Sequence, residues 1–257
     1  MKPNRFQQVL STGHIPAGHM IMEFSTRGLP RILESTDLDF VVYDMEHSGL
    51  EMDSIADLLA WSHGCSFAPF VRVPEGKYHF IARVLDAGAL GVMIGNVQTV
   101  EQAKAVVDAA KYVPMGHRGL GLGTAHNNYV LPNPPEYLEQ ANKNTTVICQ
   151  IESPEGVANA EAIAALPGVD VLWVGHYDLT ANMGVVAQFD HPDFHAALKK
   201  VIAAAKAHGK ASAIQPGSAQ QLEEWSKMGF TVLSYGADFG VYKGALTAAV
   251  QSIRSLK

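Results

Sequence analysis

The chain has 257 residues, 47% of them hydrophobic, which is enough to build the core of a barrel domain of about 250 residues. Its 25 acidic and 19 basic residues are scattered without runs and give a net charge of −6, which argues against a nucleic-acid face and a polybasic membrane patch. No segment reaches the ~18 apolar residues of a membrane span, and the start, MKPNRFQQVLSTG, lacks the apolar stretch of a signal peptide. The two cysteines, Cys65 and Cys149, have no metal-ligand spacing, so we expect buried thiols in a cytoplasmic protein.

Short apolar segments, often β-branched, alternate along the chain with longer segments of helical periodicity. The predicted strands are 19–24, 39–44, 67–73, 90–97, 146–152, 169–175, 210–214 and 230–236. The predicted helices are 28–36, 52–64, 77–88, 99–113, 157–168, 194–209, 219–229 and 241–256, and several of them end at a glycine. Eight such β-α pairs predict an α/β fold, a (β/α)8 TIM barrel that forms a single domain over 1–257. An open doubly wound sheet is the main alternative.

One segment interrupts this rhythm. Residues 115–144 insert a long loop between the fourth predicted helix and the fifth predicted strand. Because loops of this length in compact domains are usually functional, its glycines and Arg118 are predicted to cover a site or to build a subunit contact. An irregular connector without a function is an equally open alternative. No GxGxxG or GxxxxGK[ST] motif follows a predicted strand, which argues against a dinucleotide or Walker-type phosphate site.

Polar side chains collect at the ends of the predicted strands, and in a barrel these ends form the catalytic face. They are Asp44, Glu46, His47, Arg72, Gln150, Glu152 and Asp178. Since Glu152 and Asp178 follow adjacent strands, their carboxylates are expected to converge and to bind Mg²⁺, Mn²⁺ or Co²⁺, leaving coordination positions for water and substrate. The alternative is that the two acids only cap the helices that follow, next to Ser153, which is itself a good N-cap residue.

Two further residues suggest what such a cation would do. Arg72 closes the third predicted strand and is expected to bind a carboxylate or an enolate oxygen, or else to form an ion pair with Asp44. His47 is the predicted proton carrier because imidazole titrates near neutral pH, with a structural role as the alternative. The combination favours chemistry on a 2-oxo acid that chelates the cation through its carboxylate and keto oxygens. A Schiff-base aldolase would need a lysine at a strand end, whereas Lys210 begins the seventh predicted strand, on the wrong side.

The matching segments of a known family run through these residues. They are YDMEHSG, VRVPEG, RVLDAGALGVMI, KYVPMGHRGLG, VICQIESPEGVANAEAI, VDVLWVGHYDLTANMG and HGK. In them the chain resembles the HpcH/HpaI aldolases, the metal-dependent class II pyruvate aldolases of the phosphoenolpyruvate/pyruvate barrel superfamily. The resemblance implies cleavage of 4-hydroxy-2-oxo acids to pyruvate, or a related 2-oxo acid, and an aldehyde, through a metal-stabilised enolate. It also implies a homo-oligomer, a hexamer or a trimer.

The resemblance further implies roles for individual residues. The implied metal ligands are Glu152 and Asp178, the implied catalytic residues are His47, Arg72 and Asp86, and the implied substrate contacts are Arg72, Gln150, Gly175, Tyr177 and Asp178. Asp86 would support His47, but it ends the third predicted helix and so lies at the opposite end of its own barrel. We therefore expect Asp86 to reach His47 from a neighbouring subunit.

Two departures from the family pattern bear on the substrate. Gly95 and His176 stand where many relatives have proline, so the aldehyde is expected to differ from the family's usual ones.

The main alternative function is another enolate-using enzyme, a decarboxylase or an acyl-CoA lyase of the citryl- or malyl-CoA type, although no clustered Lys or Arg forms a groove for the nucleotide. The other is a non-catalytic oligomeric barrel.

Overall fold

The computed structural model describes residues 1–256. Eight parallel strands form a closed barrel in which each strand pairs with the next and β8 pairs back with β1. The strands are β1 (Ala17–Ile21), β2 (Phe40–Asp44), β3 (Ala68–Val73), β4 (Gly91–Ile94), β5 (Thr146–Ile151), β6 (Val171–Val174), β7 (Ala211–Ile214) and β8 (Val232–Ala237). The closed parallel barrel confirms the predicted architecture, and the pairing of β1 with β8 excludes the open sheet.

Eleven α-helices lie along the described residues, most of them between successive strands. They are α1 (Arg5–Ser11), α2 (Leu29–Glu34), α3 (Met52–Ser62), α4 (Tyr78–Asp86), α5 (Val100–Ala110), α6 (Pro134–Asn144), α7 (Pro154–Ala164), α8 (His176–Asn182), α9 (Pro192–Ala207), α10 (Ala219–Met228) and α11 (Asp238–Ser255). Within residues 1–256, none of these helices has both the length and the apolar character that crossing a bilayer requires.

The segment 115–144 was predicted to be one long loop, but the structure shows that it is not a continuous loop. It contains a short 3₁₀ turn, Ala125–Asn127, and it ends in α6, whose first turn contains two prolines. Proline is tolerated there because the first N–H groups of a helix have no partner within the helix. The proline-rich sequence at this point therefore begins a helix.

The side chains inside the barrel change from apolar to charged along the strands. Val42 and Phe70 lie side by side in the ladder and belong to the buried interior cluster. Two residues further along, Asp44 and Arg72 are again neighbours and are both buried. Because side chains alternate across a strand, these residues continue the same inward-facing rows. The C-terminal layer of the interior is therefore charged, and the layers beneath it are apolar.

The N-terminal end of the barrel is closed by α1. Phe6 projects from this helix, and its ring centroid lies 5.2 Å from those of both Phe40 and Phe70 in edge-to-face arrangements. Full burial of a phenylalanine contributes roughly 2–3 kcal/mol, which holds this short helix in place. An apolar plug at this end leaves the C-terminal end of the strands as the mouth of the barrel.

Candidate active site

Arg72 and Asp44 form a buried ion pair at the mouth of the barrel. Arg72 donates from Nε to Asp44 Oδ1 at 2.7 Å and from Nη2 to Asp44 Oδ2 at 2.6 Å. Burial alone lowers the pKa of Arg72, but the hydrogen bonds and the charge of Asp44 raise it above its ordinary value. The guanidinium therefore stays charged, and the ion pair that the sequence left as an alternative is present.

The ion pair leaves part of the Arg72 guanidinium facing the cavity. Nη1 lies 3.5 Å from Gln150 Oε1, at the limit of a hydrogen bond, and Nη2 lies 3.8 Å from Met20 Sδ. Arg72 and Gln150 line a cavity of about 900 Å³ that opens at the mouth of the barrel. Pairing with Asp44 is thus compatible with binding an anion, since a guanidinium has five N–H donors in a rigid fork.

Glu152 is buried just beyond β5, where two donors orient its carboxylate. Oε1 accepts the backbone N–H of Asn96 at 2.5 Å, and Oε2 accepts a short hydrogen bond from Gln150 Nε2. Burial raises the pKa of Glu152; the hydrogen bond from Gln150 opposes this shift and the charge of Asp178 adds to it. Asn96 was not among the predicted site residues, and its φ of 51° lies in the left-handed region. The Gly95-Asn96 pair after β4 is the available signal, because asparagine tolerates this conformation.

The turn between β6 and α8 brings Asp178 towards Glu152. Gly175 precedes α8, and a Cβ added to it would lie 2.1 Å from Glu152 Oε2, so only glycine leaves room for the carboxylate. Asp178 is exposed in the first turn of α8 and makes no capping hydrogen bond, while α7 is capped by Ser153, which accepts the N–H of Gly156 at 3.0 Å. Neither acid caps a helix, so the alternative reading of this pair does not hold.

Glu46 and His47 follow the C-terminal end of β2 and lie next to Arg72 and to each other. Glu46 Oε2 is buried without a hydrogen-bond partner, 3.3 Å from Arg72 Nε and 3.9 Å from His47 Nε2. Burial raises the pKa of Glu46, and the positive charge of Arg72 opposes that shift. A Cβ at Gly95 would lie 2.7 Å from Glu46 Oε1, so glycine at this position makes room for the acid. His47 is 58% exposed and lines the cavity.

The donor set fits a hard divalent cation. Such ions prefer carboxylate oxygens and keep several positions for water or substrate. Glu152 and Asp178 supply two carboxylates, and the carboxylate of Glu46 lies close enough to interact electrostatically with both. Gly175, which has no side chain, leaves open space beside the Glu152 carboxylate, and a bound cation needs such space.

Asp86 lies away from this cavity within the same chain. It is the last residue of α4, before the N-terminal end of β4, whereas His47 follows the C-terminal end of β2. Arg118 Nη2 donates to Asp86 Oδ1 at 2.5 Å, and the guanidinium of Arg118 lies 4.7 Å from the ring centroid of Tyr112. A single chain therefore does not bring Asp86 and His47 together. This agrees with the expectation that Asp86 lies at the opposite end of its own barrel.

His176 and Tyr177 belong to an aromatic cluster beside the mouth. The His176 ring lies 5.1 Å from Trp225 and 5.3 Å from Phe189, and the Tyr177 ring lies 5.1 Å from Phe189. Burial lowers the pKa of His176 to about 4, so this ring is neutral at neutral pH. Tyr177 is 60% exposed and lines the cavity.

No lysine lines this cavity in the described part of the chain. Lys111 is buried, but it lies near the N-terminal ends of β5 and β6, where its ammonium donates to the backbone oxygens of Asn142, at 2.8 Å, and Thr145. The absence of a lysine at the mouth agrees with the sequence-based argument against a Schiff base. Cys65 and Cys149 are free and buried, as expected.

Comparisons with known proteins agree with this geometry. Residues 24–244 match the model of the HpcH/HpaI aldolase/citrate lyase family. A 5-keto-4-deoxy-D-glucarate aldolase from Klebsiella pneumoniae is 34% identical over 246 residues, 95% of this chain and 94% of that protein. An HpcH/HpaI aldolase structure from Desulfitobacterium hafniense superimposes with a TM-score of 0.92 at 27% identity, covering 98% of this chain and 97% of that one. An HpcH/HpaI aldolase/citrate lyase family structure from Burkholderia cenocepacia superimposes with a TM-score of 0.90 at 30% identity, covering 98% and 100%.

Proposed function

Because this chain belongs to the HpcH/HpaI aldolase/citrate lyase family, we propose that it is a divalent-metal-dependent aldolase of 4-hydroxy-2-oxo acids. The products are pyruvate, or a related 2-oxo acid, and an aldehyde, and the reaction is reversible. The observation that carries this proposal is the meeting of Arg72, His47, Gln150 and Asp178 in the lining of one cavity, with Glu152 directly behind Gly175.

Glu152 and Asp178 are the proposed ligands of Mg²⁺, Mn²⁺ or Co²⁺. When bound there, the cation supplies a Lewis acid for the keto oxygen of the substrate. Gln150 and the backbone of Asn96 hold the Glu152 carboxylate in a fixed orientation through their hydrogen bonds. Partners of this kind commonly change metal affinity by about 10–100-fold when they are removed.

Arg72, Gln150 and the turn before α8 are the proposed binding groups for the 2-oxo acid. The free donors of Arg72 face the cavity and hold the oxygen on which negative charge develops. Gln150 lies between Arg72 and Glu152 and positions both. The backbone at Gly175 and Tyr177 lies next to Asp178 and is the proposed contact for the substrate carboxylate.

His47 is the proposed general base for cleavage. It removes the proton from the 4-hydroxyl group, the bond between C3 and C4 breaks, and the aldehyde leaves as the electron pair moves into the enolate of the 2-oxo acid. A proton added at C3 then gives pyruvate, and addition runs through the same steps in reverse. In this proposal Asp86 of the partner subunit orients the imidazole.

The surface of α11 supports the proposed homo-oligomer, a hexamer or a trimer. Large apolar side chains are exposed along this helix, and they are Phe239, Val241, Tyr242, Leu246 and Ile253, which are 46–67% exposed. An apolar surface of this kind commonly marks an interface. A second copy of the chain is the proposed occupant, because Asp86 needs one to reach His47.

Turnover with pyruvate and a short aldehyde, with and without chelator, tests the function directly. We expect product that is lost on chelation and restored by Mn²⁺, and a Glu152→Gln variant without activity. Glu155→Gln is the matched control, since Glu155 is exposed in the first turn of α7 and should retain activity. Product formation that is indifferent to chelator, or none with any aldehyde, contradicts the proposal. An acyl-CoA substrate is disfavoured because Arg72 is the one Lys or Arg that lines the described cavity.

A further inference from the structure

We propose that Asp190, His195 and Glu224 form a second cation site, here called the outer site, and that it binds Zn²⁺. One ligand atom from each of these side chains lies within 4.8 Å of the other two. None of the three residues lines the cavity at the mouth of the barrel, so the outer site is separate from the proposed metal ligands there. The inference does not rest on the aldolase function, and it uses no residue of α11 or of a second copy.

The three side chains of the outer site come from three different elements. Asp190 belongs to the segment 183–191 that joins α8 to α9, His195 lies near the start of α9, and Glu224 lies within α10. The neighbouring His191 has another task, because its Nδ1 accepts the backbone N–H of Asp193 at 3.2 Å and caps α9. Tertiary folding therefore selects an imidazole and two carboxylates that do not cap this helix.

Each residue of the outer site stands next to an aromatic residue of one packed cluster. Phe189 precedes the aspartate, Phe194 precedes the histidine and Trp225 follows the glutamate. The ring centroid of Phe189 lies 5.9 Å from that of Phe194 and 6.1 Å from that of Trp225, and the latter two side chains are fully buried. This packing fixes the backbone at all three positions, so the ligands are held in place before a cation arrives.

The distances around the imidazole match those between ligands of one cation. His195 Nε2 lies 3.3 Å from Glu224 Oε1 and 2.9 Å from the backbone oxygen of Phe189. Bonds of 2.0–2.2 Å to a shared Zn²⁺ place neighbouring ligand atoms roughly 2.9–3.5 Å apart. The cation takes the place of the proton on Nε2, which moves to Nδ1, and the oxygen of Phe189 becomes a further ligand.

The charges of the outer site favour a cation. Among the described residues, no lysine or arginine nitrogen lies within 4.0 Å of the carboxylate of Asp190 or Glu224. Lys227, one turn along α10, is paired with Glu223 instead, at 2.6 Å. Two acids thus converge on one histidine, and a bound cation offsets their mutual repulsion. Asp190 is exposed and the other two side chains are about one-third exposed, which gives the ion a path from solvent.

The ligand types separate the outer site from the mouth of the barrel. Imidazole nitrogen suits Zn²⁺, whereas Mg²⁺ takes oxygen ligands and keeps most of its water. Mn²⁺ binds most weakly of the divalent first-row cations at a site of this kind. We therefore expect Mg²⁺ and Mn²⁺ to select the carboxylates at the mouth and Zn²⁺ to fill the outer site.

A cation in the outer site would fasten the segment 183–191 to α9 and α10. The ring of Phe189, next to Asp190, also lies 5.3 Å from that of His176 and 5.1 Å from that of Tyr177, both at the start of α8. The site therefore supports α8 from outside the barrel. Because Zn²⁺ binds only the folded arrangement of the three ligands, it should raise the stability of the protein.

Zinc binding by the full-length protein tests the inference, in a double variant, Glu152→Gln with Asp178→Asn, that lacks the mouth ligands. We expect titration calorimetry to show one Zn²⁺ per chain. Adding His195→Gln should weaken binding by about a hundredfold, since losing a ligand costs more than losing one of its hydrogen-bond partners. Adding His79→Gln, at an exposed histidine on α4, should leave the affinity unchanged. Failure of the double variant to bind Zn²⁺, or an affinity that survives His195→Gln, overturns the inference.

Isosteric changes of the two acids keep the test decisive if His195→Gln disturbs folding. Asp190→Asn and Glu224→Gln, each added to the double variant, should lower the Zn²⁺ affinity by about tenfold or more. Asp193→Asn is the matched control, because this acid on α9 is exposed and makes only a distant ion pair, at 3.8 Å, with His191. Equal affinities in all three proteins would mean adventitious surface binding only and would overturn the inference.

Thermal unfolding gives a readout that does not depend on aldolase activity. Zn²⁺ at about one hundred times its Kd should raise the Tm of the double variant by about 5 °C, and this shift should vanish when His195→Gln is added. A Tm shift that persists without the imidazole contradicts the site. Since the double variant lacks the proposed catalytic metal ligands, the result is the same whether or not the aldolase function holds, and turnover with Mn²⁺ tests that function separately.

Discussion

At the scale of single residues, Arg72 combines two contacts that the sequence analysis treated as alternatives. Its pairing with Asp44 uses Nε and Nη2, and this fixes the plane of the guanidinium. The remaining donors then face the cavity in a defined direction. A lysine keeps the positive charge but cannot make both contacts at once, because its ammonium is a point charge on a flexible stem.

Arg72→Lys is therefore expected to lower kcat by about a hundredfold, because the stabilised oxygen loses a positioned donor. Steady-state kinetics with the best aldehyde give the measurement. Arg5→Lys is the control, since Arg5 also pairs with an aspartate, Asp39, at 2.8 Å but lies near the closed end of the barrel. Equal kcat values for wild type and Arg72→Lys would remove Arg72 from the proposed mechanism.

Gly175 tests the geometry of the metal ligands without removing a ligand. In Gly175→Ala the new Cβ would lie 2.1 Å from Glu152 Oε2 and must displace that carboxylate. We expect Mn²⁺ affinity, measured by titration calorimetry, to fall by about tenfold or more. Gly217→Ala is the matched control in the same cavity, because its nearest neighbour would be Gln221 Oε1 at 3.6 Å, an ordinary contact. Similar affinities for the two variants would mean that Glu152 does not hold the ion.

At the scale of elements, the strands were predictable and several helices were not. Near-continuous apolar segments such as VICQI are typical of strands covered on both faces, and this predicted Gln150 and Glu152 at the mouth. In contrast, α1 has seven residues, and tertiary packing of Phe6 holds it in place. The seven-residue α8 was not among the predicted helices, although its first turn contains Asp178. Side-chain pairing was also beyond the sequence, because the choice of Asp44 as the partner of Arg72 depends on the register of β2 and β3.

Burial of His176 at the start of α8 makes the free energy of unfolding depend on pH. The pKa of His176 is about 4 in the folded protein and 6.5 without burial, so above pH 6.5 the ring is neutral in both states and its contribution to stability is complete. As the pH falls below 6.5, the unfolded chain takes up a proton that the folded ring does not, and stability is lost. Between pH 7.5 and 5, the free energy of unfolding should therefore fall by about 2 kcal/mol more in wild type than in His176→Phe. His79→Phe, the same change at an exposed histidine on α4, should behave as wild type; identical pH dependence in all three proteins would contradict this assignment.

At the scale of the whole molecule, the barrel has a closed apolar end, a charged mouth and a helix, α11, with apolar side chains exposed. Asp238 at the start of α11 is buried and accepts the backbone N–H groups of Met22, Glu23 and Phe24 at 3.1, 3.0 and 2.7 Å. The beginning of the helix is thereby tied to the end of β1. The exposed surface beyond it is where a second copy is proposed to pack. The family resemblance, which implies that Asp86 supports His47, had suggested such a copy because Asp86 lies at the opposite end of its own barrel.

Charges on α11 should separate the subunits. Leu246→Glu combined with Ile253→Glu is expected to shift the sedimentation mass from a multiple of 27.6 kDa towards the monomer, because glutamate is costly to bury in an apolar interface. Ile32→Glu, at an exposed apolar position on α2, should leave the assembly intact. Wild-type protein that sediments as a monomer would contradict the proposed oligomer, and with it the supply of Asp86 by a partner.

The central claim is that Glu152 and Asp178 hold a divalent cation onto which a 2-oxo acid binds beside Arg72. Anomalous diffraction from a crystal soaked with Mn²⁺ and pyruvate tests it most directly. The account predicts a single strong anomalous peak at the mouth, about 2.0–2.3 Å from one oxygen of each acid, with pyruvate between the ion and Arg72. A peak at some other set of residues, or pyruvate bound away from Arg72, would contradict it.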